Sequence, residues 1–481
     1  MSIMNWQSDR HDVKPIYKQI ASHLENQIAC GEFPSGSKLP SERELAKQLQ
    51  VNRSTIVAAY EELQALGLVE RKHGSGTKVS SDIWGISYKR IPNWRHIVEQ
   101  GSLLPNVPLF RQIQQETHHS QIIDLASGEL SPDLFPSHFF QELMATKPFT
   151  WHLGYEKPQG NITLRETICT HVKKKKQIEV TPASILITSG AQQALHLVIQ
   201  CLLRAGDAIA IEDPSYFYSL PLFQSAGLRI FLLPTDQDGI NPDDVERLYK
   251  KHRIKMIFVN PHFQNPTGTL LSMERKLHLL EISAKYGIPI VEDDPYSLTS
   301  FSGEPVMTLK SMDQHGTVLY VSSLTKLAAS GLRIGWVIGP QTVIERLADA
   351  KQQVDFGHSI FPEWISHHFL SSEIFDTHID DMRAKLLQKS NIIMQALQNK
   401  LTDKVSYLVP QGGIHLWCKL NQPVNESALI KEAILHGVVF VPGSVLGSKE
   451  GYVRFTFGRA EDDLIEEGID RFAQALSIAI E

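Results

Sequence analysis

The sequence predicts two domains of different class: a small, mainly helical head and a large α/β body that ends in a smaller α+β lobe. Three observations carry this. Apolar residues recur at helical spacing through the first 80 positions, ahead of a glycine-centred hairpin. Short apolar runs alternating with helical patterns recur from about residue 121 onward. Over the last 80 positions strand-like runs return in a different texture. The chain of 481 residues has room for one small and one large domain, or for about three of roughly 150 residues each. At 42% hydrophobic and 21% charged, the composition is globular and excludes wholesale disorder, collagen and simple coiled coil.

In the head, Ile16, Ile20, Leu24 and Ile28 fall four apart and form one stripe of a first helix, which Gly31 stops. Ser41 stands three residues before Glu44, a capping box that opens a second helix carrying Leu45 and Leu49. A third helix runs from about Ser54 through Ile56, Tyr60, Leu63 and Leu66, with Gly67 as its C′ residue. Leu68-Val69, the glycine turn around Gly74 and Gly76, and Lys78-Val79 then read as strand, turn, strand. Three helices backed by a hairpin make a winged helix-turn-helix over residues 12–80. Asn52, Arg53, Ser54 and Thr55 open its third helix, the end that enters the major groove in such domains. Arg53 has the fork geometry for a guanine edge, Ser54 and Thr55 suit phosphate or base, and Arg43 at the start of the second helix lies close to the backbone. The net charge of −6 on its own argues against a nucleic-acid binder, but the first 80 residues hold 10 Lys/Arg against 9 Asp/Glu. A near-neutral head on an acidic body leaves room for a local basic face.

Residues 81–120 show no sustained period and contain Pro92, Pro105 and Pro108, yet also Trp84, Trp94, Leu103, Leu104, Leu109 and Phe110. They read as a linker that partly packs on its neighbour. The body, 121–481, holds apolar runs at 185–188, 208–211, 230–233, 256–259, 288–291, 318–321 and 334–338, which predict a large, mostly parallel sheet. Runs at 405–409, 414–420, 438–441 and 452–457 predict the small lobe. The charge run Lys173–Lys176 reads as a solvated helix face. His118-His119 and His367-His368 lack metal-ligand spacing, and the four cysteines form no CxxC pair, so neither a metal site nor a disulfide scaffold is expected. The scarcity of cysteine, the polar first ten residues and the lack of an 18-residue apolar stretch fit a cytoplasmic protein with no membrane span.

The strongest chemical signal is Ser323-Leu324-Thr325-Lys326 followed by Gly331-Leu332-Arg333-Ile334-Gly335. A lysine just after a buried strand, with an arginine seven residues on, suits a cofactor bearing an aldehyde and a phosphate. Gly190-Ala191-Gln192-Gln193 opens a helix, whose first N–H groups bind phosphate. Asp293, with Tyr296 three residues later, offers a carboxylate to a pyridine nitrogen. Asn265 in Asn265-Pro266-Thr267-Gly268 offers an amide to a ring hydroxyl, Tyr216 a flat face to stack on the ring, and Arg454 a clamp for a carboxylate. Each residue alone also has an ordinary structural reading as a cap, a surface ion pair or a turn. It is the set, in this order, that points to chemistry.

The head resembles the GntR family of bacterial regulators, on Pro15-Ile16-Tyr17 with Gln19-Ile20, on Gly36–Ala46, and on Val51-Asn52-Arg53-Ser54-Thr55. That resemblance implies minor-groove contact by His73 and Gly74 at the wing tip. The body, over roughly 122–478, resembles the class I/II aminotransferases, pyridoxal phosphate enzymes of fold type I. It implies Lys326 as the internal aldimine lysine, Asp293 as the partner of the pyridine nitrogen, and Asn265 and Tyr296 at the ring hydroxyl. Ala191, Gln192, Ser323 and Arg333 would hold the phosphate. Tyr155 would reach the phosphate of the other subunit, and Gly128 and Arg454 would meet an amino-acid carboxylate. Many relatives have proline where Ser330 precedes the glycine of the lysine–arginine loop, which bears on the stiffness of that loop. Head and body together resemble the MocR subfamily of transcription regulators. The resemblance implies a domain-swapped homodimer that binds an operator in double-stranded DNA and senses a small amino compound through Lys326. Two rivals remain open on sequence alone: a working aminotransferase with an incidental head, and a DNA-binding dimer whose body has lost its cofactor.

Overall fold

Helical spacing and caps translate directly into the head. In the computed structural model, which describes residues 14–29, 31–72, 76–81, 100–119, 121–447 and 450–480, helix α1 (Ile16–Ala29) buries Ile20, Leu24 and Ile28 on one face. Helix α2 (Glu42–Gln48) begins at the capping box: Ser41 Oγ accepts from the Glu44 amide at 3.3 Å and Glu44 Oε2 from the Ser41 amide at 3.0 Å. Helix α3 (Arg53–Ala65) buries Ile56, Ala59, Tyr60 and Leu63, and Gly67 follows it at φ +69°. The Tyr60 ring is fully buried and its hydroxyl donates to Pro40 O at 2.7 Å, tying α3 to the entry of α2. Strands β1 (Val69–Lys72) and β2 (Gly76–Val79) pair antiparallel with Val69 opposite Val79, and Leu39 adds to the outer edge of β2 through the Thr77 carbonyl at 3.0 Å. The wing-tip residues His73 and Gly74, and positions 82–99 of the segment read as a linker, lie outside the described residues.

The chain divides between Ser102 and Leu103 into two compact units. The second unit therefore takes in residues 103–119, including a helix over Pro108–Glu116 that lies within the predicted linker. Its centre is an eight-stranded sheet in the order β4-β11-β10-β9-β8-β5-β6-β7. The strands are β4 (Ile185–Thr188), β5 (Ala208–Asp213), β6 (Arg229–Asp236), β7 (Gly239–Ile240), β8 (Met256–Val259), β9 (Ile290–Asp293), β10 (Val318–Ser323) and β11 (Gly335–Ile338). Neighbours from β10 to β6 pair parallel; β11 runs antiparallel to both β10 and β4, and β7 antiparallel to β6. Strands β4, β8, β9, β10 and β11 are buried along their whole length, which is why they read as unbroken apolar runs.

The small lobe is a four-stranded antiparallel sheet, β12-β13-β16-β15, from β12 (Val405–Tyr407), β13 (His415–Leu420), β15 (Val441–Pro442) and β16 (Tyr452–Thr456). The run predicted as one strand at 438–441 is two. β14 (Val438–Val439) pairs parallel with β3 (Ile123–Asp124), whereas β15 joins the four-stranded sheet. This split fastens the start of the body to its last lobe and sets the loop after β3 beside β16. The basic run is corrected at one position. Lys173 to Lys175 pair with Glu179 and Asp376 at the surface, but Lys176 is only 6% exposed and faces inward to Asp294. Among the described residues no helix is long and apolar enough to cross a membrane.

Candidate functional site

The helix-turn-helix places its polar ends outward. Arg43 in α2, and Asn52, Arg53 and Ser54 at the start of α3, are exposed, while Thr55 is half-buried. Asn52 occupies the N-cap position of α3 without capping it by its side chain. Arg53, however, is not free. Its Nε and Nη2 donate to Glu42 Oε2 at 3.1 and 2.9 Å, and Arg71 Nη2 donates to Glu42 Oε1 at 3.1 Å. One carboxylate thus holds both arginines, a contact that no local sequence pattern announces.

In the body, the carboxyl ends of β4, β5, β8, β9 and β10 converge on a cavity of about 410 Å³. This is where an open α/β sheet leaves its crevice. Gly128, Ala191, Gln192, Tyr216, Asn265, Asp293, Tyr296, Ser323, Lys326, Arg333 and Arg454 all line it. Tyr155 does not: it is 86% exposed, with its ring 5.6 Å from that of Phe356.

One end of the cavity is built for an anion. The helix Gly190–Leu202 starts directly after β4, so its first N–H groups open toward the cavity. Gly190 has φ +73°, and a Cβ there would lie 2.8 Å from Arg333 Nη2; a Cβ on Gly335 would lie 2.7 Å from the Gly190 carbonyl carbon. Only glycines allow this approach. Arg333, itself at φ +53°, donates to Ser189 O at 3.1 Å, which keeps its guanidinium at the helix terminus.

Asp293 ends β9, which runs two positions past the strand predicted at 288–291, with Oδ1 buried and without a partner among the described residues. Burial pushes its carboxyl up to about 7, the charge of Asp294 adds to this, and Lys326 opposes it. Behind it, Asn260 Nδ2 donates to the Asp293 carbonyl at 2.8 Å while its Oδ1 accepts from the Asn265 amide at 2.8 Å. Lys326 donates to Gly128 O. Burial lowers its ammonium to about 8 against the pull of Glu129. Arg454 in β16 donates to Asn265 Oδ1 at 2.9 Å and to Ala126 O, and its buried Nε has no partner among the described residues. Burial lowers its guanidinium to about 10. Tyr296 shares a 3.0 Å hydrogen bond with His415 Nε2, and His415 Nδ1 meets Thr456 Oγ1 at 3.1 Å.

Sequence reading passed over Glu129, Ser215, Asn260 and His415. It also missed the wall formed by Phe110, Ile113, Gln114 and Thr117 from the helix at 108–116. Pro108 at the start of an amphipathic run was the available signal for that helix. The cluster beneath the cavity left less trace. Asp294 lies 3.4 Å from Lys176 and 3.3 Å from His262, and accepts from Tyr320 at 2.7 Å, all of them buried. Burial works against the charge of Asp294, but Lys176 and His262 outweigh it and hold the carboxyl well below its usual range. Among the described residues, no group of three His, Cys, Asp or Glu is placed to hold a metal.

A winged helix-turn-helix joined to an α/β body with an anion cradle, a lysine and a buried arginine in one cavity defines a DNA-binding protein with a ligand-binding body. Comparison with known proteins agrees on both parts. Residues 16–79 match the family of bacterial regulatory proteins, gntR family, and residues 120–472 match aminotransferase class I and II. The chain is 37% identical to the HTH-type transcriptional regulator YisV of Bacillus subtilis strain 168, over 98% of both chains. It is 36% identical to YdfD of the same strain, over 95% of both. The body superposes on Pyrococcus horikoshii kynurenine aminotransferase, crystallised in complex with PMP. The TM-score is 0.75 at 28% identity, covering 82% of this chain and all of that one. The chain belongs to the HTH-type transcriptional regulators that fuse a GntR-family head to a class I and II aminotransferase body, the architecture of the MocR subfamily. Its head is a DNA-binding domain and its body an aminotransferase fold.

The buried pair beneath the cavity yields a stability prediction. Lys176→Met strips Asp294 of its lysine partner and lowers the stability of the body by about 3–5 kcal/mol in urea denaturation. A loss below about 1 kcal/mol would show that Asp294 does not carry its charge in the folded protein.

Proposed function

We propose that this protein is a pyridoxal phosphate-dependent transcriptional regulator that senses a small amino compound at Lys326 and answers through its DNA-binding head. The observation that carries the reading is the set of charges gathered in one cavity: anion cradle, lysine, buried arginine. The residues fit the cofactor. Gly190 leaves space at the cradle that a Cβ would fill, and Asp293 Oδ1 is a buried acceptor awaiting a donor. When bound, the cofactor supplies an aldehyde that condenses with amines and a ring that draws electrons.

Arg333, Ser323 and the N–H groups of Ala191 and Gln192 hold the phosphate. Asp293 accepts from the ring nitrogen, which favours its ionised form in spite of burial. Asn265 and Tyr296 address the ring hydroxyl, and Tyr216 covers one ring face. Lys326 is the attachment point; with its ammonium lowered to about 8, it reaches the reactive neutral form more readily than an ordinary lysine. Arg454 receives the carboxylate of the effector, assisted by the Gly128 loop. The exposed Tyr155, beside the exposed Leu153 and Phe356, suits contact with a second copy of the chain, where it would reach the partner's phosphate. A swapped homodimer presents two heads to paired half-sites in DNA, with His73 and Gly74 at each wing tip. The completeness of the cavity set also suits an aminotransferase in its own right. Sustained amino transfer to a keto acid separates the two readings, since a sensor shows little or no turnover.

Three measurements test the proposal. Lys326→Ala abolishes the visible absorption of the protein reconstituted with pyridoxal phosphate, together with its response to amino compounds. Retention of both by that variant would falsify the role of Lys326. Loading of the cofactor-free protein accelerates about tenfold per pH unit below about 8 and levels off above it, because the neutral amine grows until Lys326 is half deprotonated. A rate still climbing toward about 10.4 would mark an ordinary lysine. Glu42→Gln releases Arg53 and Arg71 and removes a negative charge from the head. It tightens DNA binding and steepens the salt dependence by about one counterion, read by fluorescence anisotropy at several salt concentrations. Unchanged or weaker binding would show that these arginines do not face DNA.

A further inference from the structure

Among the described residues, five charged side chains line the cavity: Glu129, Asp293, Lys326, Arg333 and Arg454. On the functional reading above, four have a counterpart. Arg333 faces a phosphate, Asp293 a ring nitrogen, Lys326 an aldehyde and Arg454 a carboxylate. Glu129 has none. We propose that Glu129 selects the effector, and that the effector is an α-amino acid whose side chain carries a positive charge. The proposal rests on that functional reading and adds the chemical class.

The geometry is that of one short loop. The Ala126 carbonyl accepts from Arg454, the Gly128 carbonyl accepts from Lys326, and Glu129 follows directly. Carboxylate clamp, amine site and acidic side chain are therefore ordered along four consecutive residues. Glu129 is half-buried and its Oε1 accepts from the Ser330 hydroxyl, which orients the carboxylate. Among the described residues, Oε2 has no hydrogen-bond partner and Glu129 makes no ion pair. The cation that feels it most is Lys326, whose lowered ammonium Glu129 partly restores. Once Lys326 is committed to the cofactor, that carboxylate faces the cavity without a cation from the described residues. A charge in a partly enclosed, low-dielectric space favours an opposite charge on the ligand and rejects a like one. Phe110, Ile113, Leu195 and Leu220 supply the apolar wall along which a methylene stem lies. The Ser330 hydroxyl is what holds Glu129 in place.

The test titrates the reconstituted protein with L-ornithine, L-lysine, L-norleucine and L-glutamate, following the visible spectrum of the cofactor. The expected result is half-saturation by the better basic amino acid at a concentration at least about tenfold below that for norleucine, with glutamate weakest. In Glu129→Gln the ratio of the basic amino acid to norleucine falls to within about twofold of one, and an unaltered cofactor band in that variant shows that the fold is intact. Glu129→Asp retains part of the preference. Equal affinity for norleucine and the basic amino acids in the wild type overturns the proposal while leaving the sensing reading in place. So does a preference that survives in Glu129→Gln. A protein with no cofactor band, or whose band no amino acid shifts, overturns the sensing reading and this assignment with it.

Discussion

A guanidinium can sit deep inside a protein only if oxygen atoms meet it there, and Arg454 meets its oxygens on two pieces of chain distant from its own. It projects from the small-lobe sheet, donates to Asn265 on the loop after β8, and donates to Ala126 on the strap that begins the body. Removing water from such a group costs several kcal/mol unless these bonds form together. The requirement locks the lobe, the large sheet and the Gly128–Glu129 loop into one arrangement. The pairing of β14 with β3 serves the same end from the backbone side, since it delivers the strap to β16. The cavity is what remains between these pieces.

A second charge layer lies under the first. Asp293 and Asp294 are adjacent in sequence but point into different surroundings. Asp294 is met by Lys176, His262, Ser297 and Tyr320, so it keeps its charge. Asp293 has its side chain toward the cavity with little to satisfy it, so burial and the neighbouring charge push it up. Glu292, on the other side, is pushed up to about 8 by burial and by Asp294, although the Leu309 and Lys310 amides donate to it. Of three consecutive acids, Glu292 and Asp293 are thus pushed up and Asp294 is held down, decided by what packs on each.

The head and the body use charge in opposite ways. In the body, the charges beneath the cavity are buried and need fixed partners. In the head, Glu42 holds Arg53 and Arg71 at a partly exposed position, where an ion pair is worth roughly 1 kcal/mol or less. Such a clasp orders the two arginines yet yields readily to a phosphate or a guanine edge. The near-neutral charge of the head is therefore no obstacle to binding DNA, because some of its acids act as partners of the arginines.

Where neighbours in space were also neighbours in sequence, the chain alone was sufficient. The spacing of Ile20, Leu24 and Ile28, the Ser41–Glu44 capping box, Gly67 after α3 and the apolar runs of the central sheet all correspond to observed elements. Several cavity residues, such as Ala191, Tyr216 and Lys326, could be gathered from sequence because they lie just beyond a recognisable strand or at the start of a helix. Parallel strands put those ends on one edge. Only the tertiary structure decided the partners of charges. Lys176 reads as a surface lysine from its three lysine neighbours, and is buried because Asp294 waits on a strand end more than a hundred residues later. Arg53 reads as free, and is held by a glutamate on the preceding helix. The helix at 108–116 reads as linker, and walls the cavity. Sequence periodicity carries information over a few turns of a helix or a strand, because backbone geometry repeats over that distance. Which charge meets which is set by the packing of distant segments, and no local repeat encodes it.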